Sequence, residues 1–183
     1  PDAKCIGDLG VKSFCTYKGL FFILASPAMD LIRETGFSSF IENQLNNNDH
    51  LWRVCSWHHE MIAVQNQPEP NETGLEMYES CKDGGAIIAT AHKHLYARSK
   101  TLINIENQIV DSEWSDLNKL RVKEGATFAF VSGLGGSRIP STEKYFDWST
   151  SYIPGQMCSA SRHLQELTPY PYTDMRYDRN CST

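Results

Sequence analysis

Four short apolar runs constrain the fold of this chain more than any other feature. They cover residues 20–24, 51–57, 86–91 and 127–131. Runs of this length, rich in branched and aromatic residues and bounded by polar or glycine-containing segments, are typical of buried strands. Between the first three runs lie two segments with apolar residues at helical spacing. The resulting order of strand, helix, strand, helix, strand, strand predicts an α/β fold built in layers around a mixed sheet.

The two helical segments also carry signals for where each helix begins and ends. The first covers residues 37–45 and should end in the polar run 46–49. The second should end at Gly84 and Gly85, because glycine commonly terminates a helix. A serine or threonine followed three residues later by glutamate is the capping-box pattern. This pattern occurs at both starts, as Ser39 with Glu42 and as Thr73 with Glu76.

Composition bounds the number of domains and the classes of partner. A chain of 183 residues is long enough for one domain with a hydrophobic core. We expect that domain to cover residues 1–152 and an irregular tail, rich in Tyr, Pro and Arg, to cover residues 153–183. The net charge is -5, and no basic cluster is interleaved with aromatic residues. Nucleic acid is therefore not an expected partner, and no apolar run approaches the length of a membrane span.

Cysteines and glycosylation sequons indicate the compartment. Six cysteines are present without a C-x-x-C motif, which disfavours a zinc finger and leaves their pairing open. Asn71 and Asn180 each begin an N-x-Ser/Thr sequon. Together these features predict a secreted or lumenal glycoprotein with disulfides. The alternative is that the two tripeptides arise by chance.

Histidines follow two of the predicted strands. His58 follows the second strand, and His92 and His94 follow the third. Residues two apart point the same way on an extended backbone, and imidazole is the commonest protein ligand for metals. The sequence therefore predicts a metal site at one edge of the sheet. By the same alternation, His59 is expected to face away from His58.

Two further residues are candidates for the site. Asp8 follows a short apolar segment near the N-terminus and is a candidate carboxylate ligand. The alternative is a turn aspartate, a usual role beside glycine. Arg98 lies shortly after the histidines and is a candidate for binding an anionic group of the substrate. No arrangement of Ser, His and Asp or of Cys and His indicates nucleophilic catalysis.

Three spaced segments resemble the C-terminal half of the calcineurin-like metallophosphoesterases, in the form found in purple acid phosphatases. They are 51–60 (LWRVCSWHHE), 84–99 (GGAIIATAHKHLYARS) and 125–136 (GATFAFVSGLGG). The similarity spans roughly residues 17–152. It implies a sandwich of two mixed sheets flanked by helices, with a site for two metal ions.

The resemblance also implies roles for individual residues. His58 matches a lone histidine motif, and His92 and His94 match a Gly-His-x-His motif in which Ala91 replaces the glycine. His58 and His92 would then share one metal ion while His94 serves the other. Asp8 matches the aspartate of the first family motif. The implied cofactors are one or two ions of zinc, iron or manganese.

The chain departs from the family pattern between Gly10 and the strand at residue 20. The family's Gly-Asp and Gly-Asn-His motifs, with the carboxylate that bridges two metals, are absent. The expected fold is therefore a truncated version of the sandwich. One hypothesis is a metal-dependent phosphoester hydrolase, acting on a small phosphoester, that is incomplete as an isolated chain. A weaker version of it is a hydrolase with a single metal ion held by Asp8 and the histidines.

The alternative hypothesis is a catalytically inactive, secreted binding or structural protein derived from the phosphatase fold. Half of a sandwich leaves sheet edges and one apolar face uncovered. Such a chain is expected to self-associate or to pair with a complementary chain.

Overall fold

A computed structural model of the chain describes residues 3–27, 35–61, 73–92, 96–114, 119–133 and 157–159. Within these ranges the chain forms ten strands and two helices. The N-terminal half contains β1 (Lys4–Asp8), β2 (Lys12–Tyr17), β3 (Leu20–Ala25), α1 (Phe37–Asn47) and β4 (Trp52–Ser56). The remainder contains α2 (Leu75–Asp83), β5 (Ile87–Thr90), β6 (Tyr96–Ser99), β7 (Leu102–Asn104), β8 (Ile109–Val110), β9 (Ala129–Ser132) and β10 (Met157–Ser159).

Eight of the strands form one mixed sheet with the order β1-β2-β3-β4-β5-β9-β6-β10. Strands β3, β4, β5 and β9 are parallel, whereas β1, β2 and β3 form antiparallel pairs. The predicted mixed α/β fold is confirmed at this level. The other sheet in the described part of the chain is the two-stranded pair β7-β8. A second large layer, as in a sandwich, stays a prediction.

Both helices lie on the same face of the sheet. Each connects two neighbouring parallel strands, and both steps run in the same direction across the sheet, so the right-handed crossover rule places α1 and α2 together. The core lies between them and the sheet, and its buried side chains include Phe21, Ile23, Ile41, Cys55, Trp57, Met77, Tyr78 and Ile88. No helix among the described residues is long and apolar enough to cross a membrane.

The opposite face of the sheet also carries apolar side chains. Phe22 and Leu24 alternate along β3 with the core residues of that strand. Trp52 and Val54 do the same along β4. Leu24 is 37% exposed and Trp52 is 53% exposed. This face is therefore apolar and less well covered than the face beneath the helices.

Within the described residues, two disulfides join four of the chain's six cysteines. Cys5 pairs with Cys15 across the β1-β2 hairpin, and Cys55 of β4 pairs with Cys81 of α2. Cys55 and Cys81 are both fully buried in the core. The second disulfide therefore fixes α2 directly onto the middle of the sheet.

The capping-box prediction is wrong at both helices. The N-cap residues are Gly36 and Gly74, and neither helix has a side-chain cap. Helix α1 begins at Phe37 because that ring is buried, and burial of an aromatic side chain exceeds the roughly 1 kcal/mol of a cap. Glu42 instead accepts a hydrogen bond at 2.9 Å from the Ser80 hydroxyl of α2 and so links the two helices.

The C-terminal ends of the helices agree with the sequence. Helix α1 ends at Asn47, inside the predicted polar run, and α2 ends at Asp83, just before Gly84. Strand β10 pairs with β6 and lies within residues 153–183. Three residues of the segment predicted to be irregular are therefore regular, and the domain boundary itself stays a prediction.

We expect substitution of Gly85 by alanine to lower the free energy of unfolding by about 2–4 kcal/mol. Gly85 has a left-handed φ of +61°, and a Cβ atom there would lie 2.7 Å from the backbone nitrogen of Glu124. Gly125→Ala is the matched control, because its φ of +78° has a similar cost but a Cβ there meets no atom within 4 Å. Urea denaturation of both variants checks this, and equal losses would contradict the steric argument.

Candidate metal centre

The candidate metal centre lies at the carboxyl ends of two adjacent parallel strands. His58 comes two residues after the end of β4, and His92 comes two residues after the end of β5. The pairing of the two strands continues past their ends, because the Ala91 N–H donates a hydrogen bond of 3.0 Å to the His58 carbonyl. This backbone contact holds the two histidines side by side. Ligands in α/β sheets commonly bind at this edge.

Three imidazoles converge at this edge. His92 Nδ1 and His58 Nε2 are 3.2 Å apart. The rings of His59 and His92 stack with their centroids 4.2 Å apart, and the His58 ring meets both edge-on. One nitrogen from each of the three residues lies within 4.8 Å of the others. Among the described residues, these three histidines form the group whose ligand atoms are close enough together to hold a metal ion.

The three nitrogens suit one tetrahedral metal ion. Zinc binds histidine nitrogen at about 2.0–2.1 Å, so two ligands of a tetrahedral ion lie about 3.3 Å apart. His58 Nε2 and His92 Nδ1 are hydrogen-bonded to each other at 3.2 Å, a separation close to that edge, and the His59 nitrogen lies within 4.8 Å of both. Three protein ligands leave a fourth position open, which is the arrangement of catalytic zinc sites. Imidazole also suits iron, whereas magnesium and calcium prefer oxygen ligands.

The backbone of His92 has an uncommon conformation. Its φ is +59°, in the left-handed region that only a few per cent of residues other than glycine adopt, with Asn, Asp and His the most frequent among them. Such a conformation costs on the order of 1–3 kcal/mol and is found most often at active sites and ligand sites. It turns the chain directly after β5, where the His92 ring meets His58 and His59. The strain supports a functional reason for the position of this ring.

The environment of His58 favours the form of imidazole that binds metals. Partial burial, followed by the charge of the neighbouring His59, lowers the pKa of His58 below its ordinary value. A metal ligand must be the neutral imidazole. The lowered pKa keeps His58 neutral to a lower pH than a free histidine.

A pH effect on folding follows from the lowered pKa of His58. The unfolded chain takes up a proton at this residue near pH 6.5, but the folded chain takes it up only at lower pH. The unfolded state therefore binds more protons in this range, and the free energy of unfolding decreases as the pH falls from about 7.5 to 5.5. In chelator-containing buffer, His58→Gln is expected to weaken this pH dependence. If the free energy of unfolding depends on pH equally in His58→Gln and in the unsubstituted chain, the assignment of this effect to His58 is contradicted.

The structure brings together two of the predicted ligands and adds one that was predicted to face away. His58 and His92 meet, and His59 joins them. The prediction for His59 is wrong because alternation applies only within a strand: β4 ends at Ser56, and the chain bends at His58. Because His58 and His59 come only two and three residues after the end of β4, the sequence could have indicated that both lie at the same edge of the sheet. His94, Asn71 and Asn180 lie outside the described residues.

Asp8 and Arg98 lie apart from the three histidines. Asp8 ends β1 at the same edge of the sheet but three strands away from β4, which is about 14 Å at the usual strand spacing. Arg98 is 7% exposed and lies within β6 opposite Phe130 of β9. A role for Asp8 in metal binding and for Arg98 in substrate binding therefore stays a prediction.

Comparison with known proteins shows that the fold of this chain is similar to that of solved structures, whereas comparison by sequence finds no match. No protein-family model matches the chain, and no curated protein matches it. A structure of the purple acid phosphatase PPD1 from yellow lupin (Lupinus luteus) seeds is 17% identical, with a TM-score of 0.54. The match covers 69% of this chain and 23% of the phosphatase. A structure of PhoD is 11% identical with a TM-score of 0.40, covering 69% of this chain and 29% of that one.

The match to the purple acid phosphatase bears on the fold alone. It shows that the mixed sheet with its two helices is phosphatase-like at a coarse level. The chain spans less than a quarter of the length of that phosphatase.

Proposed function

We propose that this chain is a metal-dependent phosphoester hydrolase domain, similar to the C-terminal half of the calcineurin-like metallophosphoesterases and incomplete as an isolated chain. The observation that carries the proposal is the convergence of His58, His59 and His92 at the carboxyl ends of β4 and β5. The fold similarity to a purple acid phosphatase supports it. The substrate class is a small phosphoester.

In this proposal the histidines hold the metal and other residues complete the site. His58 and His92 are the ligands implied by the family motifs, with His94 as a further one. His59 supplies the third imidazole of the described cluster. A zinc, iron or manganese ion in such a site supplies Lewis acidity to a phosphoryl oxygen and to the attacking water. The role predicted for Arg98, binding of the anionic phosphoryl group, stays part of the proposal, although its side chain is buried within β6.

The proposed hydrolase is incomplete in this chain. Hydrolysis with two metals places a pair of ions about 3.5–4 Å apart, and like charges at that distance need a carboxylate between them. The cluster of described residues contains histidines alone, and Asp8 is three strands away. Full activity therefore requires carboxylate ligands from further residues of a longer protein or from a complementary chain. A site with one ion needs only the three imidazoles and an open position.

The proposed location is the secretory pathway or the outside of the cell. Disulfides form and persist in oxidising compartments, and two are present here, one of them in the core. Glycosylation at Asn71 and Asn180 belongs to the same proposal. Treatment of the chain from a eukaryotic secretory host with an N-glycosidase tests it through the change in mass.

The test of function is hydrolysis of p-nitrophenyl phosphate and bis(p-nitrophenyl) phosphate by the metal-loaded chain. We expect slow turnover above the rate of the same metal in buffer, lost with a chelator and lost in His92→Ala. His50→Ala is the matched control, because His50 stacks on Phe21 instead of joining the cluster. Absence of turnover from a chain that binds metal would overturn hydrolysis by a single ion held in this chain. It would favour the alternative, an inactive secreted binding or structural protein.

A further inference from the structure

Strand β1 forms an open edge of the large sheet. It is the terminal strand in the sheet order, and all five of its residues are exposed. Ile6, in the middle of the strand, is 63% exposed. An exposed edge strand presents unpaired backbone donors and acceptors to another chain. Proteins often protect such edges, but nothing in the described part of the chain covers this one.

The pairing of β1 with β2 shows which backbone groups face the open edge. Cys5 lies opposite Cys15 with their Cα atoms 4.1 Å apart, a spacing typical of a non-hydrogen-bonded pair. The flanking residues Lys4, Ile6 and Asp8 therefore direct their backbone groups toward β2. By the same alternation, Cys5 directs its N–H and carbonyl outward. Gly7, which lies two residues on and opposite Ser13, is the next position on that side. Its φ of +105° makes the ladder irregular at this position.

The sequence of β1 is complementary to itself in one orientation. When two copies pair antiparallel about Ile6, Lys4 of one lies opposite Asp8 of the other, and Cys5 lies opposite Gly7. The outward backbone groups then meet as two hydrogen-bonded pairs, and Ile6 meets its own copy. In a parallel arrangement in register, Lys4 would face Lys4 and Asp8 would face Asp8, and like charges directly opposite are destabilising. The charges therefore select the two-fold antiparallel arrangement.

We propose that β1 is the interface of a homodimer, in which two copies join their sheets antiparallel about Ile6. The partner is a second copy of this chain, related by two-fold symmetry. In the described part of the chain, neither Lys4 nor Asp8 forms an ion pair, so both charges are available to the partner. The Cys5–Cys15 disulfide holds β1 against β2 before association, which reduces the ordering cost of binding. This inference rests on neither metal binding nor hydrolysis.

Charge reversal provides a test with an internal control. Sedimentation equilibrium of the full chain, without reductant, is expected to show monomers and dimers. Lys4→Asp places two acidic residues opposite each other at both ends of the interface, and Asp8→Lys places two lysines there. Each single variant is expected to raise the dimer dissociation constant about 10- to 30-fold. The double variant Lys4→Asp, Asp8→Lys restores opposite charges and is expected to recover dimerisation.

A control variant shows whether a change in dimerisation is specific to the β1 interface. Lys123→Asp changes the net charge by the same amount as Lys4→Asp, at an exposed position outside the eight-stranded sheet, and it should leave the dissociation constant unchanged. Circular dichroism checks that each variant is folded. A chain that remains monomeric at all concentrations overturns the proposal. A dimer that is insensitive to the single reversals, or that the double variant fails to recover, also overturns it.

Discussion

Replacement of His92 by alanine is expected to lower the affinity of the chain for zinc by at least about 100-fold. Loss of residues that only support metal ligands costs 10- to 100-fold, and His92 is proposed as a ligand itself. Its Nδ1 lies 3.2 Å from His58 Nε2, and its ring stacks on His59. Removing it therefore deletes one of the three imidazoles that lie close enough together to hold one ion. Titration calorimetry in competition with a chelator of known affinity measures the effect.

The same series distinguishes the cluster from other histidines. His58→Ala is expected to match His92→Ala, since the nitrogens of these two rings lie 3.2 Å apart. His50→Ala removes an imidazole outside the cluster and should leave zinc affinity within about twofold. Retention of wild-type affinity by His92→Ala, with affinity lost instead in His50→Ala, would show that the metal binds elsewhere. Without metal, His92→Ala should unfold slightly below the wild-type temperature, because alanine keeps the left-handed backbone conformation and loses the ring contacts with His58 and His59.

Removal of the Cys55–Cys81 disulfide is expected to cause the largest loss of stability. The disulfide closes a loop of 26 residues, for which the chain-entropy relation gives about 3.5 kcal/mol. Both sulfurs are fully buried in the core, so the double variant Cys55→Ala, Cys81→Ala loses roughly 1 kcal/mol more from packing. A domain of this size should then unfold about 10–15 °C lower. Differential scanning calorimetry measures this.

The other disulfide is the control for this prediction. Cys5 and Cys15 are separated by 10 residues in an edge hairpin. Their removal by Cys5→Ala, Cys15→Ala is expected to cost about 2.7 kcal/mol by the same relation, with less packing lost because Cys5 is exposed. If removal of the Cys55–Cys81 disulfide lowers the unfolding temperature no more than removal of the Cys5–Cys15 disulfide, the proposed stabilisation by fixing α2 to the sheet is contradicted. Such dependence on a buried disulfide also fits folding in an oxidising compartment.

The central strands and helices could be predicted from sequence because their signals are local. The runs at residues 20–24 and 51–57 are apolar enough to form buried parallel strands, and both helices have an apolar stripe. Strand β2 was not predicted, because it mixes polar and apolar residues and gains its pairing from β1 and β3. The two- and three-residue strands β8 and β7 carry no period at all. Their position depends on contacts distant in the sequence.

The candidate site could be predicted in part for a similar reason. His58 and His92 each follow an apolar run, so their position at one sheet edge follows from the parallel order of the strands. The position of His59 depends on a bend after β4, which strand alternation does not describe. Asp8 also ends a strand at this edge, but two antiparallel pairings place β1 at the far side of the sheet. The order of strands across a sheet is not a local property.

The most direct test of a metal centre at His58, His59 and His92 is the metal content of the purified chain. Elemental analysis after dialysis against low zinc, with iron and manganese measured in parallel, is run on the chain and on His92→Ala. We expect about one equivalent of metal per chain, lost in the variant. About two equivalents would mean that residues beyond the three histidines complete a dinuclear site. Absence of bound metal from the folded chain would contradict the account.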